Sequence, residues 1–465
     1  MSDMTAASTG KFTKNFRGST LMARVLRSAS WLLIGYGGSQ MLRLTANLIL
    51  TRLLFPEAFG LMALVGVVTV GLAMFSDVGI GPSIAQNVRG DDPDFLDTAW
   101  TIQVIRGFGL WLAACLLAWP VAQFYGEADL ALFLPIAGIS LVVAGFNPTR
   151  IETANRHLLV GRLTVLDLIS QVIGVAVMVG LALATGSVLA LVVGGVIQAM
   201  TKLMLTHFFL PGHVNSFRWE KRAAQELIRF GKWIFLSTAF WFVTSQGDRA
   251  ILGKFLSLEV LGLYNIGFFL ASFPMLLGHA VTQRILIPVY RDRPAQAAAQ
   301  NRMQQRKLRF ALTSGILTLL LVMGFAGPWL TSLLYDSRYL ASGVMVTLIA
   351  CSLIPAVIGM TYDQAALAAG DSRSFFVFSA IRAVVQVTLL LIGVTYFGLV
   401  GAIAAIGLAG LLVHPVLIWL ARRHGVWDPL HDLGFGVFGT VLASSAIWLH
   451  WDAIARLTSG QWPIP

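Results

Sequence analysis

A chain of 465 residues that is 57% hydrophobic and only 12% charged, with a mean hydropathy of +0.76, carries more apolar runs than one water-soluble core could bury. It is read as an integral, multi-pass membrane protein. The net charge of +11 would suit nucleic acid, but the excess collects in the connections between apolar runs, where membrane topology alone places it, and no nucleic-acid partner is expected.

The elements are predicted in chain order as follows. A basic tail, residues 1–30 with Lys11, Lys14, Arg17, Arg24 and Arg27, is expected to lie on anionic lipid headgroups. The first apolar run is long enough to stay in the bilayer and lacks a small-residue cleavage site, so an uncleaved first helix is expected. Spanning segments are predicted at 31–54, 58–82, 98–119, 130–147, 162–184 and 187–210, a first bundle over 31–210. After a basic linker, 211–230, a second bundle over 231–421 holds segments at 231–253, 260–288, 309–330, 340–360, 374–396 and 399–420. The extension 422–465 contains a thirteenth candidate at 434–451. Cys115 and Cys351 both fall inside spans, which excludes a disulfide framework, and no Cys/His spacing suits a metal; neither a metal nor a cofactor is expected.

Orientation follows from Lys and Arg between the segments. Twenty-four lie in the tail and the even-numbered connections, against five on the other side (Arg52, Arg249, Lys254, Arg338, Arg456), so the N-terminus is expected to be cytoplasmic. One connection dissents: residues 84–97 carry Arg89 against Asp91, Asp92, Asp94 and Asp97.

Inside the first segment, Tyr36, Gln40, Arg43, Asn47 and Thr51 recur at steps of three or four and make one polar, cationic face on an apolar helix. A charge at the centre of a spanning helix costs about 2.5–3.5 kcal/mol on insertion scales, so Arg43 is expected to face a water-filled cavity. The chain also repeats itself: Arg52–Ala63 aligns without gaps with Lys254–Asn265, matching Leu54/Leu256, Glu57/Glu259, Gly60/Gly262 and Leu61/Leu263. Six segments per copy is an even number, which makes the copies parallel. The same offset carries the polar face of segment 1 onto Thr238, Phe242, Ser245 and Arg249 of segment 7. Arg249 is thus either a second cavity cation or an interfacial residue paired with Asp248 or Glu259.

Further charges invite two readings each. Arg106, Lys202, Arg284 and His279 either meet an anionic cargo or reach the interface, and Arg52 reads as an outer-leaflet anchor. Arg382 and Gln386 read as an inner-end anchor plus a helix-to-helix hydrogen bond. Asp77 and Asp167 are candidate coupling-ion ligands, against the alternative of partners for these arginines or helix caps. Cations outnumber acids within the spans, which points to an anionic cargo, and phosphate or pyrophosphate suits the planar fork of arginine.

Four motifs occur in order: Leu-Thr-Arg-Leu-Leu-Phe-Pro-Glu-Ala-Phe-Gly-Leu (50–61), Phe-Ser-Asp-Val-Gly-Ile-Gly (75–81), Gly-Asp-Arg-Ala-Ile-Leu-Gly-Lys-Phe-Leu (247–256) and Leu-Gly-Leu-Tyr-Asn-Ile (261–266). With them the chain resembles, over about residues 28–425, the oligosaccharide flippases: O-antigen, colanic-acid and exopolysaccharide repeat-unit exporters of the multidrug/oligosaccharidyl-lipid/polysaccharide exporter superfamily. The resemblance implies an all-α polytopic fold, two six-helix bundles in a V around a cationic central cavity. It also implies transfer of an undecaprenyl-pyrophosphate-linked saccharide across the bacterial inner membrane by alternating access, with H+ or Na+ as coupling cation and polysaccharide polymerase or assembly proteins as partners. Arg43 and Arg249 match the family's cavity arginines in kind and by position on their helices, not by motif. Cargo contacts are expected from Arg43, Gln40, Asn47, Arg106, Ser245, Arg249 and Arg284.

Two rivals are weighed against this. A multidrug cation antiporter on the same fold would need acids in its cavity, whereas the central charge here is positive. A membrane-embedded glycosyltransferase or polymerase would need an acidic catalytic cluster or a large outer loop, and Glu127, Asp129 and Asp336 are scattered on short connections. With no Gly-Lys-Ser/Thr phosphate loop either, no enzymatic activity is expected.

Overall fold

The computed structural model describes residues 21–76, 79–157, 159–292 and 298–458. The tail residues 1–20 and Asp77 lie outside them. The first helices are α1 (Leu21–Leu53), α2 (Pro56–Phe75), α3 (Ile80–Gln86), α4 (Pro93–Tyr125), α5 (Leu130–Gly145), α6 (Arg150–Arg156), α7 (Val160–Thr185) and α8 (Leu189–Phe209). They are followed by α9 (Lys221–Phe255), α10 (Leu258–Ala271), α11 (Phe273–Asp292), α12 (Ala299–Leu334), α13 (Ala341–Gly359), α14 (Asp363–Ala368), α15 (Ser372–Arg423), α16 (Pro429–Leu449) and α17 (Trp451–Thr458). Eight of these helices are long and apolar enough to cross a membrane, or ten when each of two bent pairs counts as one span. The protein is therefore an all-helical, multi-pass membrane protein among its described residues.

Helix boundaries follow local chemistry. Asp92 caps α4, accepting from the Asp94 amide at 3.0 Å, with Pro93 in the first turn, where its missing N–H costs nothing. The segments expected at 374–396 and 399–420 form one element interrupted at Gly398, whose φ of 60° and ψ of −147° only glycine adopts without strain. The segment expected at 260–288 is broken instead: α10 and the start of α11 meet at 44°, because Pro274 has no N–H to continue the ladder and fits only a first helical turn. The segment expected at 58–82 likewise ends at Phe75, and α3 begins anew after Gly79.

The chain divides into two compact units, residues 1–54 with 68–238, and residues 55–67 with 239–465. In the first, α1 packs on α7, α4 on α5, and α8 on both α5 and α7. Gly35 sits against Thr164, Gly38 against Leu168, and the Ser39 carbonyl accepts from Gln171 Nε2 at 3.2 Å, so α1 and α7 run the same way. α4 and α5 run oppositely, with Gly107 against Leu141 and Trp111 Nε1 donating to the Pro135 carbonyl at 3.1 Å.

One end of this unit gathers the dissenting connection and accounts for its acids. Asp91 meets Arg156 at 3.1 Å and His157 at 2.8 Å, Asp94 meets Arg218 at 2.9 Å, and Asp97 meets His213 at 2.7 Å. Arg89 forks onto Glu220 at 3.0 and 2.6 Å while its Nε donates to Asp92 at 2.8 Å. Hydrogen bonds from Arg89 hold the Asp92 and Glu220 carboxyls below their ordinary range, and the His157 hydrogen bond does the same for Asp91. The acids of 84–97 thus neutralise basic residues from connections that the charge count had already placed on one side.

In the second unit α13 is the central helix, buried throughout Ala341–Ala350 and packed by α10, α12, α15 and α16. Here the repeated motif packs on its own copy. A Cβ on Gly60 would collide with the Leu258 carbonyl, and one on Gly262 with the Pro56 carbonyl. Adding the repeat offset to Pro56 and Gly60 gives Leu258 and Gly262, so the two contacts exchange under the repeat, the signature of an isologous crossing.

Candidate binding site

In the first unit the polar face of α1 is intact. Gln40 is buried and donates through Nε2 to Tyr36 Oη at 3.1 Å, while Thr51 Oγ1 folds back to the Leu48 carbonyl at 3.2 Å. The Gln40 Oε1 and Asn47 Oδ1 atoms are buried acceptors without a partner among the described residues. Leaving such atoms unsatisfied costs about 1–3 kcal/mol each, a cost that a bound donor would relieve. Between them in sequence, Arg43 is exposed and makes no hydrogen bond or ion pair among the described residues. One helix face therefore holds an exposed guanidinium fork flanked by two buried acceptors without partners among the described residues.

The other candidates in this unit are engaged. Arg106 donates through Nε to Ser76 Oγ at 2.9 Å and through Nη2 to the Ala73 carbonyl at 2.6 Å, placing its charge at the C-terminal end of α2, where carbonyls lack helical donors. It also lines a 490 Å³ cleft with Ile80, Pro82, Gln103 and Glu152; Arg43 does not contribute to it. Asp167 of α7 is closed against Lys202 of α8 at 2.8 Å, so this candidate coupling-ion ligand already has a cation partner.

In the second unit Arg249 is held on several sides. Its Nε donates to Asn265 Oδ1 at 2.9 Å, Nη1 reaches the Ser245 carbonyl at 3.3 Å, and Cζ lies 4.6 Å over the Phe268 ring. Asp248, at 3.8 Å from Arg249, accepts from Tyr264 Oη at 2.7 Å. The Ser245 hydroxyl turns to the Phe242 carbonyl of its own helix at 3.4 Å. Gln386 Nε2 donates to the Thr244 carbonyl at 3.2 Å, the helix-to-helix bond expected of it. The side chain of Arg284 lies outside the described residues.

Sequence reasoning passed over one polar cluster, at the start of α16. Asp432 accepts from Tyr362 Oη at 2.7 Å, Trp427 Nε1 at 3.0 Å and His414 Nε2 at 3.2 Å. Arg306 pairs with Asp428 at 2.8 Å, Arg309 donates to the Val426 carbonyl, and Thr313 meets His431 Nε2 at 2.9 Å. The run of Asp428, His431 and Asp432 opening an apolar segment was the available signal. Through these bonds the cluster docks α16 onto the unit.

The whole fold has known counterparts. The chain superposes on an inward-facing multidrug resistance MATE family transporter of the MOP superfamily with a TM-score of 0.62 at 14% identity, covering 83% of this chain and 94% of that one. It superposes equally, at 0.62 and 12% identity, on the lipid II flippase MurJ in an inward closed conformation, covering 90% and 99%. Identities this low define the class by fold alone: an all-helical fold shared with MATE and MurJ transporters. The family model described as "Polysaccharide biosynthesis protein" matches residues 49–344. The chain belongs to this polysaccharide biosynthesis protein family, in agreement with the motifs. The succinoglycan biosynthesis transport protein ExoT of Rhizobium meliloti is 22% identical over 413 residues, 86% of this chain and 78% of ExoT. The teichuronic acid biosynthesis protein TuaB of Bacillus subtilis is 19% identical over 223 residues. That match spans 48% of this chain and 46% of TuaB, so the chain covers about half the length of this relative.

Proposed function

We propose that this protein is a flippase that carries a polyprenyl-pyrophosphate-linked oligosaccharide, an O-antigen or exopolysaccharide repeat unit, from the inner to the outer leaflet of the bacterial inner membrane. On this reading twelve core helices form two bundles, 31–210 and 231–421, with a thirteenth beyond them and the N-terminus in the cytoplasm. The observation that carries it is Arg43: an exposed arginine in α1, without a partner among the described residues, between two buried acceptors without one. A diphosphate meets the guanidinium in bidentate fashion, and saccharide hydroxyls donate to Gln40 Oε1 and Asn47 Oδ1. Family membership in polysaccharide biosynthesis and the transport role named for ExoT support the cargo class.

Transport proceeds by alternating access through a cationic cavity, with the polyprenyl tail left in lipid. Arg106, Ser245, Arg249 and Arg284 remain secondary cargo contacts on this proposal, and Asp77 and Asp167 remain coupling-ion ligands for H+ or Na+. The test is reconstitution in liposomes with a fluorescent polyprenyl-pyrophosphate oligosaccharide, following its arrival at the opposite leaflet with and without Arg43→Ala. A charge-assisted hydrogen bond is worth about 1.5–3 kcal/mol, so the rate should fall at least tenfold. Unchanged flipping in the variant would overturn the role of Arg43. Transport of a cationic dye in place of the lipid would move the chain to the multidrug antiporters.

A further inference from the structure

A second arginine stands apart from the paired ones. Arg382, half-buried on α15, makes no hydrogen bond or ion pair among the described residues. The carboxylate whose charge acts on it is Asp363, the first residue of α14, and its own charge acts in turn on His279 of α11. α14 packs between α11 and α15. Phe378, one turn before Arg382, joins Leu286 and Tyr290 of α11 and Ala365 and Ala366 of α14 in one apolar cluster. His279 precedes Leu286 by two turns and Arg382 follows Phe378 by one, so both continue the seam that this cluster forms. Asp363 itself accepts from Gln364 Nε2 at 2.9 Å.

Elsewhere the chain closes its pairs: Arg89 grips Glu220 at 2.6 Å, Lys202 meets Asp167 at 2.8 Å, and Arg306 meets Asp428 at 2.8 Å. Arg382 and Asp363 share a half-buried setting without closing to contact. A guanidinium kept near a carboxylate but not spent on it retains its fork for another anion, and the nearby negative charge keeps that anion's affinity low enough for release.

We propose that Arg382, with His279 beside it as a hydrogen-bond donor, is a second anion-binding group for the diphosphate of the cargo, and that Asp363 is its counter-charge when the site is empty. This rests on the flippase reading above. The test is equilibrium binding of farnesyl diphosphate, with farnesol as control, to the full-length protein in nanodiscs. Arg382→Gln should weaken diphosphate binding about tenfold and Arg382→Lys less, since ammonium keeps the charge but not the fork. Asp363→Asn should tighten binding several-fold, the opposite sign from a structural pair, where either change would lower thermal stability alike and leave affinity alone. Unaltered affinity in Arg382→Gln with loss in Arg43→Gln would overturn this proposal and leave the flippase reading standing. Diphosphate binding no better than farnesol in the unmodified protein would overturn both. Should Arg382→Gln misfold, Asp363→Asn decides by its sign.

Discussion

The crossing of Gly60 and Gly262 makes a quantitative demand on the second unit. In Gly60→Ala the new methyl would fall on the Leu258 carbonyl oxygen, 2.8 Å from its carbon and 3.1 Å from the Leu258 Cα. In Gly262→Ala it would fall on the Pro56 carbonyl, 2.7 Å from its carbon and 3.1 Å from the Gly60 nitrogen. All of these are backbone atoms, so no side chain can swing aside and the segments must part by roughly 1 Å in a close-packed interior. Overpacking of this kind costs about 1–3 kcal/mol, or about 2–4 °C in melting temperature per kcal/mol for a unit of this size. Once one methyl has parted the crossing, the second has less to displace, so the double variant should lose less than the sum of the singles. Thermal unfolding in detergent, followed by tryptophan fluorescence, reads all four corners of the cycle. Gly37→Ala is the control: its methyl would meet nothing within 4 Å, and an added helix former should be neutral or mildly stabilising. Melting temperatures unchanged in the singles, or strictly additive in the double, would refute the isologous contact.

Three other outcomes are expected. Arg249→Gln should lower thermal stability by about 1.5–3 kcal/mol, because it leaves Asn265 and the Ser245 carbonyl without their charged donor; an unaltered melting temperature with a large loss of cargo binding would instead make Arg249 a principal cargo ligand. Asp167→Asn and Lys202→Met should each destabilise by stranding a charge, while the double variant recovers part of the loss, which a thermal double-mutant cycle measures. The carboxyls of Asp92 and Glu220 are depressed from ordinary values of 3.8 and 4.5, so their contribution is fully present above those values and is lost as pH falls through the depressed ones. Melting temperature should therefore drop on acidification below about pH 4.5, and the drop should be shallower in Arg89→Gln, which removes the partner that depresses them; parallel acid limbs would argue against a stabilising role for the pairing of Arg89 with Asp92 and Glu220.

Much of the fold was legible because hydrophobic length and breaker residues act locally. The break between the eleventh and twelfth predicted segments falls at Gly398, where the backbone itself needs a glycine. The bend before Pro274 was missed although the proline was in plain view, since hydropathy stays high across it and length alone argued for one straight span. The acids of 84–97 looked like an exception to the charge rule. In the structure Asp91, Asp94 and Asp97 sit against Arg156, Arg218 and His213, contacts between residues some 60 to 120 positions apart that no local pattern encodes.

The candidate site divides along the same line. Periodicity places arginines at Arg43, Arg106, Arg249 and Arg382, and composition treats them as equivalent cations in apolar helices. What separates them is where the guanidinium hydrogen bonds go. Arg106 meets carbonyl and hydroxyl oxygens at the end of α2, and Arg249 meets an asparagine, a carbonyl and an aromatic face. Each such contact offsets part of the desolvation of the charge, which leaves Arg106 and Arg249 a secondary role toward the cargo. Arg43 and Arg382 lack those contacts among the described residues, so the cost of a cation in an apolar setting falls there on water or on an anion. A mobile anion offsets that cost only while bound, which couples occupancy to the stability of the site. Cargo binding should accordingly raise the melting temperature of the unmodified protein and fail to do so in Arg43→Gln, whereas Arg249→Gln, already destabilised and removing only a secondary contact, should keep most of the ligand-induced rise.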